Sequence, residues 1–325
     1  MASDLKKYIE DSVKLDDGPP ARYQLQLKRV NLDKESDEES KLRRFTLGEQ
    51  ERDQSHDNKT LLLVGESGSG KTTLINALVN YVMGVEFEHK IWFEVVTDEE
   101  ESTESQTKAV SVYEVFGFEG EIFPYPLTII DTPGFGNTGG LEKDQIIIEL
   151  LQGLFCIPDG VNTVNAVGLV MKASENKLNE RTAYILNAVT SLFGKDMEKN
   201  IVIMMTHSMK GKPKNALKAL ENAKILCARD ETNQLVYFQF NNRQKETIED
   251  ESDKEDANDA FMTSIREIRK FTTFLETTEP QSLTMTSEVM KERIRLTACI
   301  QNLKERVKHI EMKQEAIKRT PKPCH

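Results

Sequence analysis

Four apolar residues, Leu61-Leu62-Leu63-Val64, run directly into Gly65-Glu66-Ser67-Gly68-Ser69-Gly70-Lys71-Thr72, and this junction restricts the fold more than any other part of the chain. A short unbroken apolar run ending in glycine reads as a strand buried on both faces. A helical pattern over residues 72–82 follows at once. The spacing GxxxxGK[ST] between strand and helix is that of a phosphate-cradling loop. Glycines let backbone N–H groups turn inward, and the helix N-terminus adds its partial positive charge. A lysine at position 71 reaches β- and γ-phosphates, and the Thr72 hydroxyl ligates Mg²⁺. A glycine turn with only a structural task has no need of Lys-Thr at its end. The candidate cradle is therefore Gly65, Glu66, Ser67, Gly68, Ser69, Gly70, Lys71 and Thr72, with Thr73 beside it.

The rest of the chain fits around that unit. Apolar runs at 127–130, 166–171, 201–205 and 235–240 read as buried strands, and 110–116 alternates like a strand with one exposed face. Helical patterns at 141–155, 178–193 and 215–228 lie between them, and Gly194 is placed to end the second. Strand and helix in alternation predict an α/β fold of three layers, a P-loop NTPase with a mostly parallel sheet and helices on both faces. Residues 1–58 read as a flanking arm, mostly mobile, with a short helix over 3–14 and one or two strands. Tyr23, Leu25 and Leu27 mark the first of these, and an acidic patch over 33–39 precedes Arg43-Arg44-Phe45. Residues 59–278 form the main domain. Acidic stretches at 98–104 and 246–259 read as solvated loops. A helix over 261–277 ends before Pro280, and residues 279–325 form a basic C-terminal helix. There Val289, Leu296, Ile300, Leu303, Val307, Ile310 and Ile317 follow a 3-4 spacing, with Arg293 and Gln314 at the two polar positions of the seam. Two readings stay open for it: a coiled coil, or an amphipathic helix packed back on its own domain.

Charge and cysteine usage exclude several classes. The chain carries 43 Lys+Arg against 54 Asp+Glu, a net −11. An acidic body repels phosphate backbones, so no nucleic acid is expected as a partner. The segment 291–325 alone has ten Lys/Arg against four Asp/Glu. That +6 tail suits anionic lipid, an acidic partner, or the acidic stretches of its own domain or a neighbour. No apolar run approaches the roughly 20 residues of a membrane span, and the first residues lack the apolar stretch of a signal peptide. Cys156, Cys227, Cys299 and Cys324 lie far apart with no CxxC pair, against a zinc cluster or a disulfide scaffold. The expected location is cytoplasmic, with peripheral membrane attachment as an option. Trp92 and Phe93 read as core or interface residues without chemistry.

A second landmark is Asp131-Thr132-Pro133-Gly134, which closes the apolar run at 127–130. An acidic residue at a strand end in such sheets holds the Mg²⁺ shell through water, and the Gly134 N–H is positioned to meet a γ-phosphate. GESGSGKTT followed by DTPGFG resembles the septin-like branch of the GTPases. It is most similar to the immunity-associated (IMAP, or AIG-type) family over about residues 59–278. The resemblance implies GTP/GDP and Mg²⁺ as ligands. It implies Ser105-Gln106-Thr107 as the first switch, with Thr107 closing over Mg²⁺ and γ-phosphate. Thr206-His207 and Asn241 then stand where the family contacts the base. Lys71, Thr107 and Gly134 become the candidate catalytic residues, and Thr72, Thr107 and Asp131 the candidate metal ligands. The family further implies dimerisation across the nucleotide face, with assembly on membranes or as a scaffold.

Two departures keep other functions open. Met209 stands where the family has the acidic residue that pairs with guanine N1 and N2; a site without that carboxylate discriminates less between guanine and adenine. Phe135 stands where Ras-like enzymes carry a water-orienting glutamine, a feature shared by septin-like relatives. It predicts slow intrinsic hydrolysis, completed by a group from another subunit. The leading expectation is a GTP-binding switch with slow, dimer-stimulated turnover. The alternatives are a nucleotide-locked assembly module without turnover, and an ATPase using the same loop.

Overall fold

The computed structural model describes residues 3–30, 42–48, 58–95, 109–116, 122–134, 160–175, 195–208, 211–244 and 250–283. It also describes individual positions within 146–155, 178–187 and 288–312. In chain order the flank contributes α1 (Ser3–Glu10), β1 (Val13–Asp16), β2 (Ala21–Gln24), β3 (Lys28–Val30) and β4 (Leu42–Leu47). The main body follows with β5 (Lys59–Gly65), α2 (Lys71–Val82), β6 (Ile91–Glu94), β7 (Val110–Val115) and β8 (Leu127–Asp131). Next come β9 (Thr163–Val164), β10 (Ala166–Lys172), β11 (Ile201–Thr206), α3 (Lys214–Asn222), β12 (Tyr237–Gln239), α4 (Glu251–Thr277) and β13 (Gln281–Ser282).

Eight strands form the central sheet, in the order β12-β11-β10-β5-β8-β7-β4-β3. The five from β12 to β8 are mutually parallel. β7 runs antiparallel to β8, β4 parallel to β7, and β3 antiparallel to β4. The strand carrying the glycine-rich loop sits at the centre because both of its faces are apolar. Leu61 and Leu63 pack in one hydrophobic cluster with α2 and α4, while Leu62 and Val64 pack in the opposite one with α3 and the helical positions around Leu151 and Leu154. Burying each such side chain stabilises by about 1.5–3 kcal/mol. This is the three-layer P-loop NTPase arrangement that the strand–helix alternation predicts.

α2 adds a feature that no apolar pattern announces. Its Asn76 and Asn80 are 1 % exposed and bond the main chain of β6. Asn80 accepts from Phe93 N and donates to Phe93 O, and Asn76 accepts from Val95 N. Two carboxamides thus satisfy strand donors and acceptors that a neighbouring strand would otherwise meet. β6 is therefore held on the helix. Its other edge pairs with β2, and β2 with β1, in a small separate sheet.

Several expectations need correction. The described part of the flank carries four strands, and two of them, β3 and β4, extend the central sheet beyond β7. β7 is buried on both faces at every position but Glu114, against the expectation of one exposed face, because Val110 and Val112 pack in one core and Tyr113 and Val115 in the other. Of the acidic stretch 246–259, residues 246–249 lie outside the described residues and the rest departs from the expected loop. From Glu251 it is the first part of α4, because the Asp250 side chain accepts from the Asp253 N–H at 2.9 Å and caps the helix. Acidic side chains in the first turn also face the positive end of the helix dipole. α3 stops at Asn222 and not at 228, since Lys224 adopts a left-handed conformation (φ 53°) and the chain turns to bond Ile201 through the Ala228 N–H. Trp92 and Phe93 are core residues, 4 % and 0 % exposed.

α4 ends at Thr277, as Pro280 predicts. The C-terminal positions described are helical, and Leu296, Ile300, Leu303, Val307 and Ile310 are each 53–60 % exposed. These seam residues do not pack on the described body. The first acidic stretch (98–104), Val289 and Ile317, and the proposed helix cap at Gly194 lie outside the described residues.

Candidate nucleotide-binding site

The loop between β5 and α2 is shaped by three different constraints on its glycines. A Cβ on Gly65 would lie 2.4 Å from the Val170 carbonyl, so only glycine lets β5 approach β10 there. Gly70 begins α2 at φ 93°, and a Cβ would meet the Thr206 side chain at 3.1 Å. A Cβ on Gly134 would lie 2.6 Å from the Ser67 backbone. The strand-end loop after Asp131 therefore lies directly against the glycine-rich loop, and the residues expected to hold and to sense phosphate share one surface.

Within the cradle the Lys71 ammonium donates to the Gly65 and Glu66 carbonyls, both at 3.1 Å. The lysine is 8 % exposed, so its charge is held over the loop interior. Ser69 N donates back to the Glu66 carbonyl at 3.1 Å, closing the turn. Thr132, next to Asp131, donates its hydroxyl to the Leu63 carbonyl at 2.9 Å and ties the second loop to β5.

The residues expected to contact the base stand at the ends of β11 and β12. The Thr206 hydroxyl donates to Ser69 O at 2.6 Å and reaches Met171 O at 3.2 Å. His207 sits in the left-handed region at φ 51°, with its Nδ1 3.2 Å from the Thr206 hydroxyl. Its imidazole is exposed toward the cavity. Beyond it, Ser208 N donates to Phe240 O and Phe240 N to Met205 O. Asn241 is held by its own N–H donating to the Ser264 hydroxyl on α4 at 3.0 Å.

One cavity of about 350 Å³ brings these groups together. It is lined by Ser67, Gly68, Gly70, Lys71, Thr72, Thr73, Asp131, Thr132, Gly134 and His207. Asn241 stands at the neighbouring strand end and is not part of this lining. Glu66 and Ser69 belong to the loop and contribute through their carbonyls. Asp131 is 4 % exposed. A hydroxyl at a helix N-terminus opposite one buried carboxylate is a set of hard oxygen donors, which fits a cation such as Mg²⁺ that keeps most of its waters. Thr107, Met209 and Phe135 lie outside the described residues.

A further charged group interacts with the glycine-rich loop through Glu66. Glu175, half-buried just after β10, has its carboxyl pushed above the usual carboxylate range, first by burial and then by the Glu66 carboxylate. Nothing in the local sequence signals this pair, because 109 positions separate its members and only the β5–β10 pairing brings them together.

A glycine-rich loop between the central strand and a helix, with a buried aspartate at the end of the next strand, defines a P-loop nucleotide-binding protein. The chain belongs to the AIG1 family, whose model matches residues 59–294; this is a family of P-loop GTP-binding proteins. No curated protein matches it. Among solved structures it is similar to Toc33 from Arabidopsis thaliana in complex with Mg²⁺ and GMPPNP. That match has 17 % identity over 69 % of this chain and 88 % of that one, with a TM-score of 0.46. Toc33 with GDP and Mg²⁺ gives 17 % identity over 69 % and 86 %, with a TM-score of 0.44. The apo translation elongation factor SelB from Methanococcus maripaludis gives 15 % over 69 % and 34 %, with a TM-score of 0.35.

Proposed function

We propose that this chain is a Mg²⁺-dependent GTP-binding switch whose slow hydrolysis is stimulated by self-association, and which controls assembly. The observation that carries the reading is the single cavity joining Lys71, Thr72, Asp131, Gly134 and His207, in a member of the AIG1 family.

In this reading the N–H groups of the loop and the Lys71 ammonium hold the β- and γ-phosphates. Thr72 and Asp131, with Thr107, would hold Mg²⁺, which would supply positive charge beside the phosphates when bound. Gly134 senses the γ-phosphate through its backbone N–H. His207 and Asn241, at adjoining strand ends, flank the base. Phe135 offers no group to orient water, so the residue that does so comes from a second copy docked across the nucleotide face. The exposed apolar seam around Leu303 gives an independent route to self-association, and its basic surroundings suit anionic lipid. Among the described residues no helix is long and apolar enough to cross a membrane. A cytoplasmic protein that attaches peripherally is the corresponding location. The domain division is a flank (1–58), a G domain (59–278) and a basic helical tail (279–325).

Phosphate release measured over a wide range of protein concentration tests the reading. Specific activity rising with concentration is the expected result. A flat rate near zero favours the nucleotide-locked assembly module instead.

A further inference from the structure

A second cavity, of about 180 Å³, lies among the 86–92 segment, the first turns of α4 and residues 243–244, and it shares no residue with the nucleotide cavity. Its walls are apolar and aromatic. Phe87 and Phe261 meet with ring centroids 5.8 Å apart, and Trp92 and Ile91 line it beside them. Its charged lining is Lys90, Arg243 and Lys254 against Glu86, a surplus of two positive charges. Lys254 is shared with Glu251 at 2.9 Å, and Glu86 lies 3.8 Å from His89.

One lining residue, Gln244, and its neighbour Asn242 in an adjoining void hold unmet polar capacity. The Gln244 side-chain oxygen, and that of Asn242 just behind it, are buried without a hydrogen-bond partner among the described residues. Carboxamide oxygen and nitrogen exchange by a flip, so each presents a donor as readily as an acceptor. A cavity with aromatic walls, one inner carboxamide (Gln244) and cations at the rim is complementary to a chain with one anionic end.

We propose that this cavity binds an alkyl carboxylate. An apolar cavity of about 150 Å³ holds a benzene-sized molecule, so this one holds on the order of six to eight chain carbons. The chain lies among Phe87, Trp92 and Phe261, and the carboxylate stays at the rim beside Lys90 and Lys254. The inference is independent of the nucleotide reading and survives its failure.

Trp92 is the sole tryptophan and supplies the signal. The full chain is titrated with butanoate, hexanoate and octanoate below their micellar concentrations, and with octan-1-ol and octylamine, following Trp92 fluorescence. Octanoate is expected to saturate. Affinity should rise roughly fourfold per added methylene, the factor for burying one CH₂, and octylamine should bind roughly tenfold more weakly than octanoate. Ala257→Leu, which fills the cavity, should abolish the response without lowering the melting temperature. Lys90→Glu should weaken octanoate and leave octan-1-ol unchanged, and it decides the matter should the filled variant not fold. The proposal is overturned by no saturable response at any chain length, by an unchanged response in folded Ala257→Leu, by octylamine binding as tightly as octanoate, or by Lys90→Glu leaving octanoate binding unchanged.

Discussion

The Thr206 hydroxyl donates to the Ser69 carbonyl at 2.6 Å, joining the end of β11 to the glycine-rich loop across 137 positions of sequence. Both partners are buried. Thr206→Val keeps the shape and removes the donor, leaving a buried carbonyl under-satisfied at a cost of about 1–3 kcal/mol. The denaturant midpoint should fall without a change in slope. Dissociation of a fluorescent guanine nucleotide should also accelerate, since the loop loses its tie. Unchanged dissociation with a lowered midpoint would confine Thr206 to a structural role.

Lys71 makes a different kind of contact. Its ammonium donates to carbonyls of its own loop, which water can serve once the ammonium is gone. Lys71→Ala should therefore leave the melting temperature within a few degrees of the parent. Nucleotide affinity should drop by about a hundredfold or more, as a desolvated charge-assisted contact to phosphate is lost. Nucleotide-dependent assembly should disappear with it. Equilibrium binding and sedimentation on one preparation read both.

Glu175 predicts a pH dependence of stability. Its carboxyl is raised in the folded chain by burial and by the Glu66 carboxylate. Between the ordinary carboxylate value and the raised one, the folded state binds more protons than the unfolded state. Stability contributed by this group is thus lost as pH rises through that window. Glu175→Gln should flatten the corresponding slope and raise stability at neutral pH. Chemical denaturation at pH 4, 5, 6 and 7 measures both, and a parallel offset of the two curves at every pH would contradict the assignment.

The two described thiols should separate cleanly. Burial pushes the Cys227 thiol up to about 11, while Cys299 is exposed on the C-terminal helix. Iodoacetamide at pH 8 should label Cys299 and spare Cys227 until denaturant is added. Peptide mass analysis of the two sites provides the check.

The legible parts of this fold were those written in local chemistry. Leu61–Leu63 alternate between two cores, and the glycines around Lys71 are demanded by close backbone approach, so both strand and loop could be read from adjacent residues. The less legible parts depend on partners far away in sequence. β4 pairs with β7 over a separation of 68 positions, and its Leu42-Arg43-Arg44-Phe45 gives little sign of a sheet position until β7 is beside it. Asn76 and Asn80 look like ordinary polar helix residues until β6 lies against them. The acidic start of α4 reads as a loop because its charge density masks the Asp250 cap. Of the site itself, the loop and Asp131 could be read from motif alone; the Glu66–Glu175 pair could not.

The central claim is that the Lys71 cavity selects a guanine nucleotide although Met209 stands in place of the usual carboxylate. Isothermal titration of the nucleotide-free chain with GDP, GTP, ADP and ATP in Mg²⁺ tests it directly. GDP and GTP should each bind at least about a hundredfold more tightly than their adenine counterparts, a difference of about 2.7 kcal/mol. ATP binding more tightly than GTP would contradict the account.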